Sequence, residues 1–288
     1  MRIARQDLAT PPSRLRVFTR ANFDRIPQLE ALSAFERDAM KAVAWVLPFR
    51  VNQYVIDELI DWSRVPEDPI YQMTFPQPGM LEKPDLDRML ELVQDDAPIE
   101  RLAAAARESQ QRLNPHPAGQ LDLNVPTVEG ERVPGLQHKY DETVLFFPAA
   151  GQTCHAYCSY CFRWAQFVGM EDLKFAARET DGLVRYLKDH PQVTSVLITG
   201  GDPMVMKAHV LRRYIEPLLA PELEHVESIR IGTRAPVFWP HRFVSDDDDD
   251  EMKALFERVA EAGKTLALMA HYTHPRELAT PIAEQAVK

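Results

Sequence analysis

Cys154, Cys158 and Cys161 fall within one eight-residue stretch, Cys154-His155-Ala156-Tyr157-Cys158-Ser159-Tyr160-Cys161, and the chain has no other cysteine. Disulfide frameworks use an even number of cysteines spread along a chain, so the C-x3-C-x2-C spacing points elsewhere. Three thiolates on one short loop suit a soft metal or a cluster. Three is also one short of a four-cysteine shell, leaving a metal position open to another ligand, as in an iron–sulfur cluster with one accessible iron. Two plainer readings stand beside this one. The cysteines could be small buried hydrophobes grouped by chance, or a zinc site completed by a distant histidine.

Other residues of chemical interest lie close to this loop or after a predicted strand. Thr199-Gly200-Gly201-Asp202-Pro203 places two glycines where the backbone could approach a ligand closely, although such a sequence is equally a turn. Tyr160 stands directly before the last cysteine, and generic packing is its ordinary role. Arg163, two residues past Cys161, could present a planar fork to a carboxylate or be a surface arginine. The acidic run Asp246–Asp250 with Glu251 could attract a hard cation. Successive helical residues point in different directions, so one ion would engage few of them. A solvated helix start capped by Ser245 is the preferred reading.

The elements that must position these residues divide the chain unevenly. Residues 1–32 read as a mobile or loosely docked N-terminal arm, interrupted by Pro11-Pro12. Residues 33–113 read as a helical region, with helices from Ser33 to Pro48 and over Val51–Trp62, Asp85–Asp95 and Ile99–Arg112. Prolines make the segment from Pro66 to Pro84 irregular, and residues 114–137 read as a connecting segment. Nothing in this first half clusters as a site. From residue 138 the character is α/β. Strands are expected at Val144–Phe147 (an apolar run suited to full burial), Val193–Thr199, Val226–Ile231 and Thr265–Ala270. Helices are expected at Thr180–Asp189, Ala208–Leu219 and Asp248–Ala262. This alternation implies parallel pairing, with functional groups following the strands.

The motifs occur in a fixed order: His138-Lys139-Tyr140, the cysteine loop, Gly200-Gly201-Asp202, Ile231-Gly232-Thr233-Arg234-Ala235-Pro236 and His271-Tyr272-Thr273-His274-Pro275. This series resembles the lysine 2,3-aminomutase family of the radical S-adenosylmethionine (radical SAM) superfamily over about residues 133–288. The likeness is weaker through Leu47-Pro48-Phe49-Arg50, Glu67-Asp68-Pro69 and Val133-Pro134-Gly135-Leu136. The resemblance implies a 4Fe–4S cluster on Cys154, Cys158 and Cys161. It places Tyr160, Gly200, Gly201, Asp202, Arg234 and His271 around S-adenosylmethionine, with Arg163 on a substrate carboxylate. His274 ranks below His271, as a residue that caps or packs. The implied activity is reductive cleavage of S-adenosylmethionine to a 5′-deoxyadenosyl radical that takes hydrogen from an amino-acid substrate, with an electron donor to reduce the cluster.

Aminomutases of this family also bind pyridoxal phosphate through a lysine beyond the fourth strand. This chain ends at Lys288, and neither Lys264 nor Lys288 matches that position. Family arginines that grip the cofactor's phosphate appear here as Lys139 and Thr143, and Phe162-Arg163-Trp164 replaces an arginine-rich run. A radical SAM enzyme that does not use pyridoxal phosphate is therefore an alternative. A catalytically incomplete, cluster-binding remnant is another. The implied fold is a partial (β/α) barrel with about four βα units of an expected six, preceded by the helical region. Its last strand would have an open edge. The expected cause is a chain cut short, the alternative a covering partner such as a second copy in a homo-oligomer.

Composition adds only broad limits. With 288 residues, 45% hydrophobic and 26% charged, the chain suits one large domain or two smaller ones. A net charge of -10 disfavours general nucleic-acid binding and favours a small-molecule substrate. No apolar run approaches the ~20 residues of a membrane span, and no signal-peptide core follows the basic N-terminus. Reduced thiols fit the cytoplasm.

Overall fold

The computed structural model describes residues 15–113, 115, 119, 121–170 and 173–288. Strand β1 (Val17–Thr19) pairs antiparallel with β2 (Arg50–Asn52), with Val17 opposite Asn52. The 3-10 turns after β1 bury Phe23 and Leu29, and Phe18 and Ile26 are buried beside them. Residues 15–32 thus pack into the helical layer. Residues 1–14, including Pro11-Pro12, lie outside the described residues.

Helix α1 (Ala34–Val46) opens with a capping box. The Ser33 hydroxyl accepts from the Glu36 N–H at 3.2 Å, and the Glu36 carboxylate accepts from the Ser33 N–H at 2.8 Å. The helix expected over Val51–Trp62 is instead β2 followed by a single π-type turn at Val55–Leu59. Its apolar residues are buried as anticipated, but β1 claims the backbone at its start. Helix α2 (Pro69–Thr74) is capped by Asp68, which accepts from the N–H groups of Ile70 and Tyr71. Helices α3 (Lys83–Gln94) and α4 (Ile99–Arg112) pack on α1 through Val43, Val46, Met89, Leu102 and Ala105.

The segment read as a connector contains a hairpin of β3 (Thr127–Val128) and β4 (Glu131–Arg132). Next come β5 (Leu136–Tyr140), β6 (Thr143–Phe146), α5 (Asp181–Asp189), β7 (Ser195–Ile198), α6 (Ala208–Ile215) and β8 (Ser228–Thr233). The chain continues through α7 (Ala235–Phe238), α8 (His241–Val244), α9 (Asp249–Glu261), β9 (Thr265–Ala270) and α10 (Pro281–Val287). The five-stranded sheet has the order β5-β6-β7-β8-β9. Strands β6 to β9 are parallel, and β5 is an antiparallel edge that the sequence did not signal. The fold is therefore mixed α/β.

Burial alternates along the strands. Val144 and Phe146, Val196 and Ile198, and Ile229 and Ile231 face a core shared with Leu187 of α5, Leu211 of α6 and Leu255 of α9. Leu145, between two of them, is only half-buried, so β6 is not the fully buried strand its apolar run suggests. A second core joins the halves of the molecule. It contains Phe18, Phe49, Ile56 and Phe75 together with Ala156 of the cysteine loop and Val237 and Phe238 of α7.

The acidic run opens helix α9, with Asp249, Asp250 and Glu251 in its first turn as expected, but the cap differs. Ser245 pairs with His241 Nδ1 at 2.9 Å and caps nothing. The carboxylates of Asp246, Asp247 and Asp248 gather around Lys207, and Asp248 also bonds the buried Arg242 at 2.7 Å. These two cations answer the cluster's charge, and Asp248 holds the N–H of Ala208 at the start of α6. Among the described residues, no helix is long and apolar enough to cross a membrane.

Candidate functional site

The loop carrying Cys154, Cys158 and Cys161 leaves the C-terminal end of β6 and is held by the helical layer. The Tyr157 N–H donates to the Arg50 carbonyl at 2.8 Å, and the Ser159 N–H to the Met73 carbonyl at 2.7 Å. Asn52, with no exposed surface, donates from Nδ2 to the carbonyls of His155 at 3.3 Å and Phe238 at 2.7 Å. Strand β2 and helix α2 of the first half therefore shape the loop.

All three thiols are free and half-buried. Burial pushes each of them up, Cys154 furthest, and Asp202 and the other two sulfurs add to the effect at Cys154. At Cys158 the nearby Arg234 works in the opposite direction. His155, between the first two cysteines, is buried and lowered to about 3 by burial and then by Arg242 and Arg50, so its ring is neutral. A metal bound there would replace the proton on each sulfur. Among the described residues, the group with donor atoms gathered within 4.8 Å is the aspartate trio, not the cysteines. Three thiols on one short loop are a donor set that suits a soft metal or a cluster.

The turn after β7 closes against the stem of this loop. A side-chain carbon on Gly201 would stand 2.4 Å from the Thr153 carbonyl oxygen, and one on Gly200 would stand 2.1 Å from the Gln152 amide nitrogen. Gly200 also has φ +142°, a conformation that favours glycine. The Asp202 N–H donates to the carbonyls of Gly151 and Thr153 at 3.1 and 2.7 Å. Asp202 itself is buried. Its Oδ1 accepts from the Met204 N–H at 2.9 Å and the Thr233 hydroxyl at 2.7 Å, and its Oδ2 from the Arg234 N–H at 2.8 Å. Burial pushes this carboxyl up to about 6 against the pull of those bonds. The carboxylate braces the ends of β7 and β8.

Arg234, just past β8, links three loops. Nη1 bonds the Tyr160 hydroxyl and lies 3.6 Å from Cys158 Sγ. Nη2 bonds Thr273 Oγ1 at 3.2 Å and Glu277 Oε1 at 2.7 Å. Tyr160 is 53% exposed, with its ring centroid 6.2 Å from that of His271, so both rings stand at the open mouth. The His271 N–H bonds the Thr233 carbonyl at 3.1 Å. His274 accepts from the Arg276 N–H and caps a 3-10 turn, as its position before a proline suggests.

Arg163 is not a surface arginine. It is 6% exposed and stacks over the Phe147 ring at 4.2 Å. Its guanidinium donates to Gln152 Oε1 at 3.4 Å, and Nε has no partner among the described residues. Burial lowers it to about 10. A buried cation without a carboxylate partner is costly, and it is suited to receive an anion.

Of the candidate residues, Cys158, Tyr160, Asp202, Arg234 and His271 are joined directly or through Thr233, Gly200 and Gly201 pack on the loop's stem, and Arg163 sits beside Gln152. Sequence reasoning missed Asn52, Met73, Gln152 and Glu277. Glu277 follows a recognised motif by two residues and could have been found there. Asn52 carries no local signal.

No protein-family model matches the chain. Among curated proteins it is 31% identical over 261 residues to "Putative L-lysine 2,3-aminomutase" of Aquifex aeolicus (strain VF5), covering 90% of this chain and 57% of that one. It is 37% identical over 123 residues to "L-lysine 2,3-aminomutase" of Bacillus subtilis (strain 168), covering 42% and 25%. It is 32% identical over 200 residues to the protein of the same name from Fusobacterium nucleatum subsp. nucleatum, covering 69% and 42%. The chain spans about half the length of the curated relatives it matches, or less.

Proposed function

We propose that the chain belongs to the lysine 2,3-aminomutase-like family of the radical SAM superfamily, on its likeness to the relatives above, and that it is an aminomutase-type radical SAM enzyme acting on an amino acid. The observation that carries the reading is the closure of the Gly200-Gly201-Asp202 turn onto the stem of the cysteine loop. Cys154, Cys158 and Cys161 would hold the cluster, with Tyr160, Gly200, Gly201, Arg234 and His271 around its mouth. When bound there, a 4Fe–4S cluster and S-adenosylmethionine supply a one-electron cleavage that generates a 5′-deoxyadenosyl radical able to abstract hydrogen from an unactivated carbon.

The chain's own residues would then bind and orient. Because Gly200 and Gly201 carry no side chains, their turn can pack directly on Gln152 and Thr153 of the loop's stem. Asp202 keeps that turn rigid, and Arg163 offers an uncompensated guanidinium to a substrate carboxylate. The parallel strands β6 to β9 support a partial (β/α) barrel of the superfamily's type. A cytoplasmic setting and an external electron donor belong to the same proposal.

Lys264 favours a second reading for the residues described here. Its ammonium donates to the carbonyls of Leu223 and Val226 at 2.8 and 2.6 Å, before the start of β9 and away from the cysteine loop. It does not fit a Schiff-base role, so we derive no step through pyridoxal phosphate.

The test is anaerobic reconstitution with iron and sulfide, then incubation with S-adenosylmethionine and a strong reductant. Formation of 5′-deoxyadenosine, abolished by Cys158→Ala, is expected. A full 4Fe–4S complement that yields none would overturn the catalytic reading and leave a cluster-binding remnant.

A further inference from the structure

Glu277 has no exposed surface, and its carboxylate is engaged by three donors. Oε2 accepts from the Thr273 N–H, and Oε1 accepts from the Thr273 hydroxyl and from Arg234 Nη2, each at 2.7 Å. The opposite nitrogen of that guanidinium faces the cysteine loop, where Cys158 Sγ, the Tyr160 hydroxyl and Met73 Sδ surround it. Phe238 closes one face, its ring centroid 4.4 Å from Arg234 Cζ. One end of Arg234 is therefore clamped and the other is aimed at a sulfur. A carboxylate can fix a guanidinium by charge and direction together, whereas a released arginine recovers its rotamer freedom.

We propose that Glu277 is a positioning residue that, through Arg234, holds a charged N–H donor against the Cys158 sulfur and so raises the reduction potential of the cluster bound there. Reduction adds negative charge to a cluster, and hydrogen bonds to its sulfurs stabilise that charge. The inference rests on the cluster assignment above.

Its test reads potential rather than turnover. The full chain and its variants are reconstituted, and their potentials are measured by electron paramagnetic resonance titration without S-adenosylmethionine. Arg234→Met is expected to shift the potential to more negative values. Glu277→Ala should shift it in the same direction, and the double variant should match Arg234→Met alone. A buried negative charge acting directly on the cluster would do the opposite, since its removal would raise the potential. Glu277→Asp keeps the charge while withdrawing the carboxylate by one methylene, and a more negative potential is expected there too. If Glu277→Ala does not fold, Glu277→Asp decides the matter. An unchanged or raised potential in the deciding variant overturns the proposal. If the wild-type chain takes up no 4Fe–4S cluster, the cluster assignment falls and this proposal with it. If it does and the variants do not shift, this proposal alone falls.

Discussion

At the scale of single residues, the site depends on side chains that are absent as much as on those present. A methyl group on Gly201 would meet the Thr153 carbonyl oxygen at 2.4 Å and its nitrogen at 2.5 Å, both backbone atoms with little freedom to yield. Gly201→Ala should therefore cost about 1–3 kcal/mol in urea unfolding and lower the iron and sulfide retained after reconstitution, because the displaced segment leads into Cys154. Asp202 makes a pH prediction. Its carboxyl rises from 3.8 to about 6 on folding, so the folded state binds the proton more tightly. The stability linked to that proton is fully present below pH 3.8 and is lost as pH rises through about 6, to a limit of roughly 3 kcal/mol. Asp202→Asn should flatten the stability profile across that window. It should also cost about 1–3 kcal/mol at its acidic end, since an amide nitrogen would face the Arg234 N–H. Equal slopes for the two proteins would refute the assignment.

At the scale of elements, the strand β2 matters more than its three residues suggest. It pairs with β1, offers the Arg50 carbonyl to the cysteine loop and carries Asn52 across to α7. Asn52→Leu would strand the carbonyls of His155 and Phe238 in the interior, at about 1–3 kcal/mol each. Thermal unfolding should show the loss, and the reconstituted chromophore should be less stable. This element also shows what the sequence could reveal. Helix α4 matches its expected span of Ile99–Arg112 because its apolar residues recur at helical spacing within one segment. Strand β2 was read as helix because Val55, Ile56, Leu59 and Ile60 share that spacing, whereas the pairing of Val17 with Asn52 is non-local. Strand β5 was missed because Gln137, His138 and Lys139 are polar, as an edge strand permits. Within the site, cysteines and glycines were legible because their chemistry lies in residue type and spacing. Asn52 and Gln152 were not, because their roles come from neighbours distant in the chain.

At the scale of the whole molecule, the two halves share one core, and the N-terminal residues are part of it. Phe18, Phe23, Ile26 and Leu29 are buried in the cluster that also holds Ala156, Val237 and Phe238. Burying each such side chain contributes about 1.5–3 kcal/mol. A variant beginning at Ser33 should lose several kcal/mol of stability and much of its capacity to bind iron, as calorimetry and metal analysis would show. Wild-type behaviour would mean that residues 15–32 are dispensable.

The Asn52 bridge also has a consequence in time. Its bond to the Phe238 carbonyl spans 186 residues, and the same amide reaches His155 between the first two cysteines. Contacts of such separation form late, because a long loop must close before they gain anything. During synthesis the cysteines leave the ribosome well before α7, so their loop settles only after a further stretch of chain has emerged. Iron delivered earlier would meet three thiols on an unshaped segment. On the cluster assignment proposed above, insertion should therefore follow folding, with efficiency set by how quickly the helical layer and α7 meet.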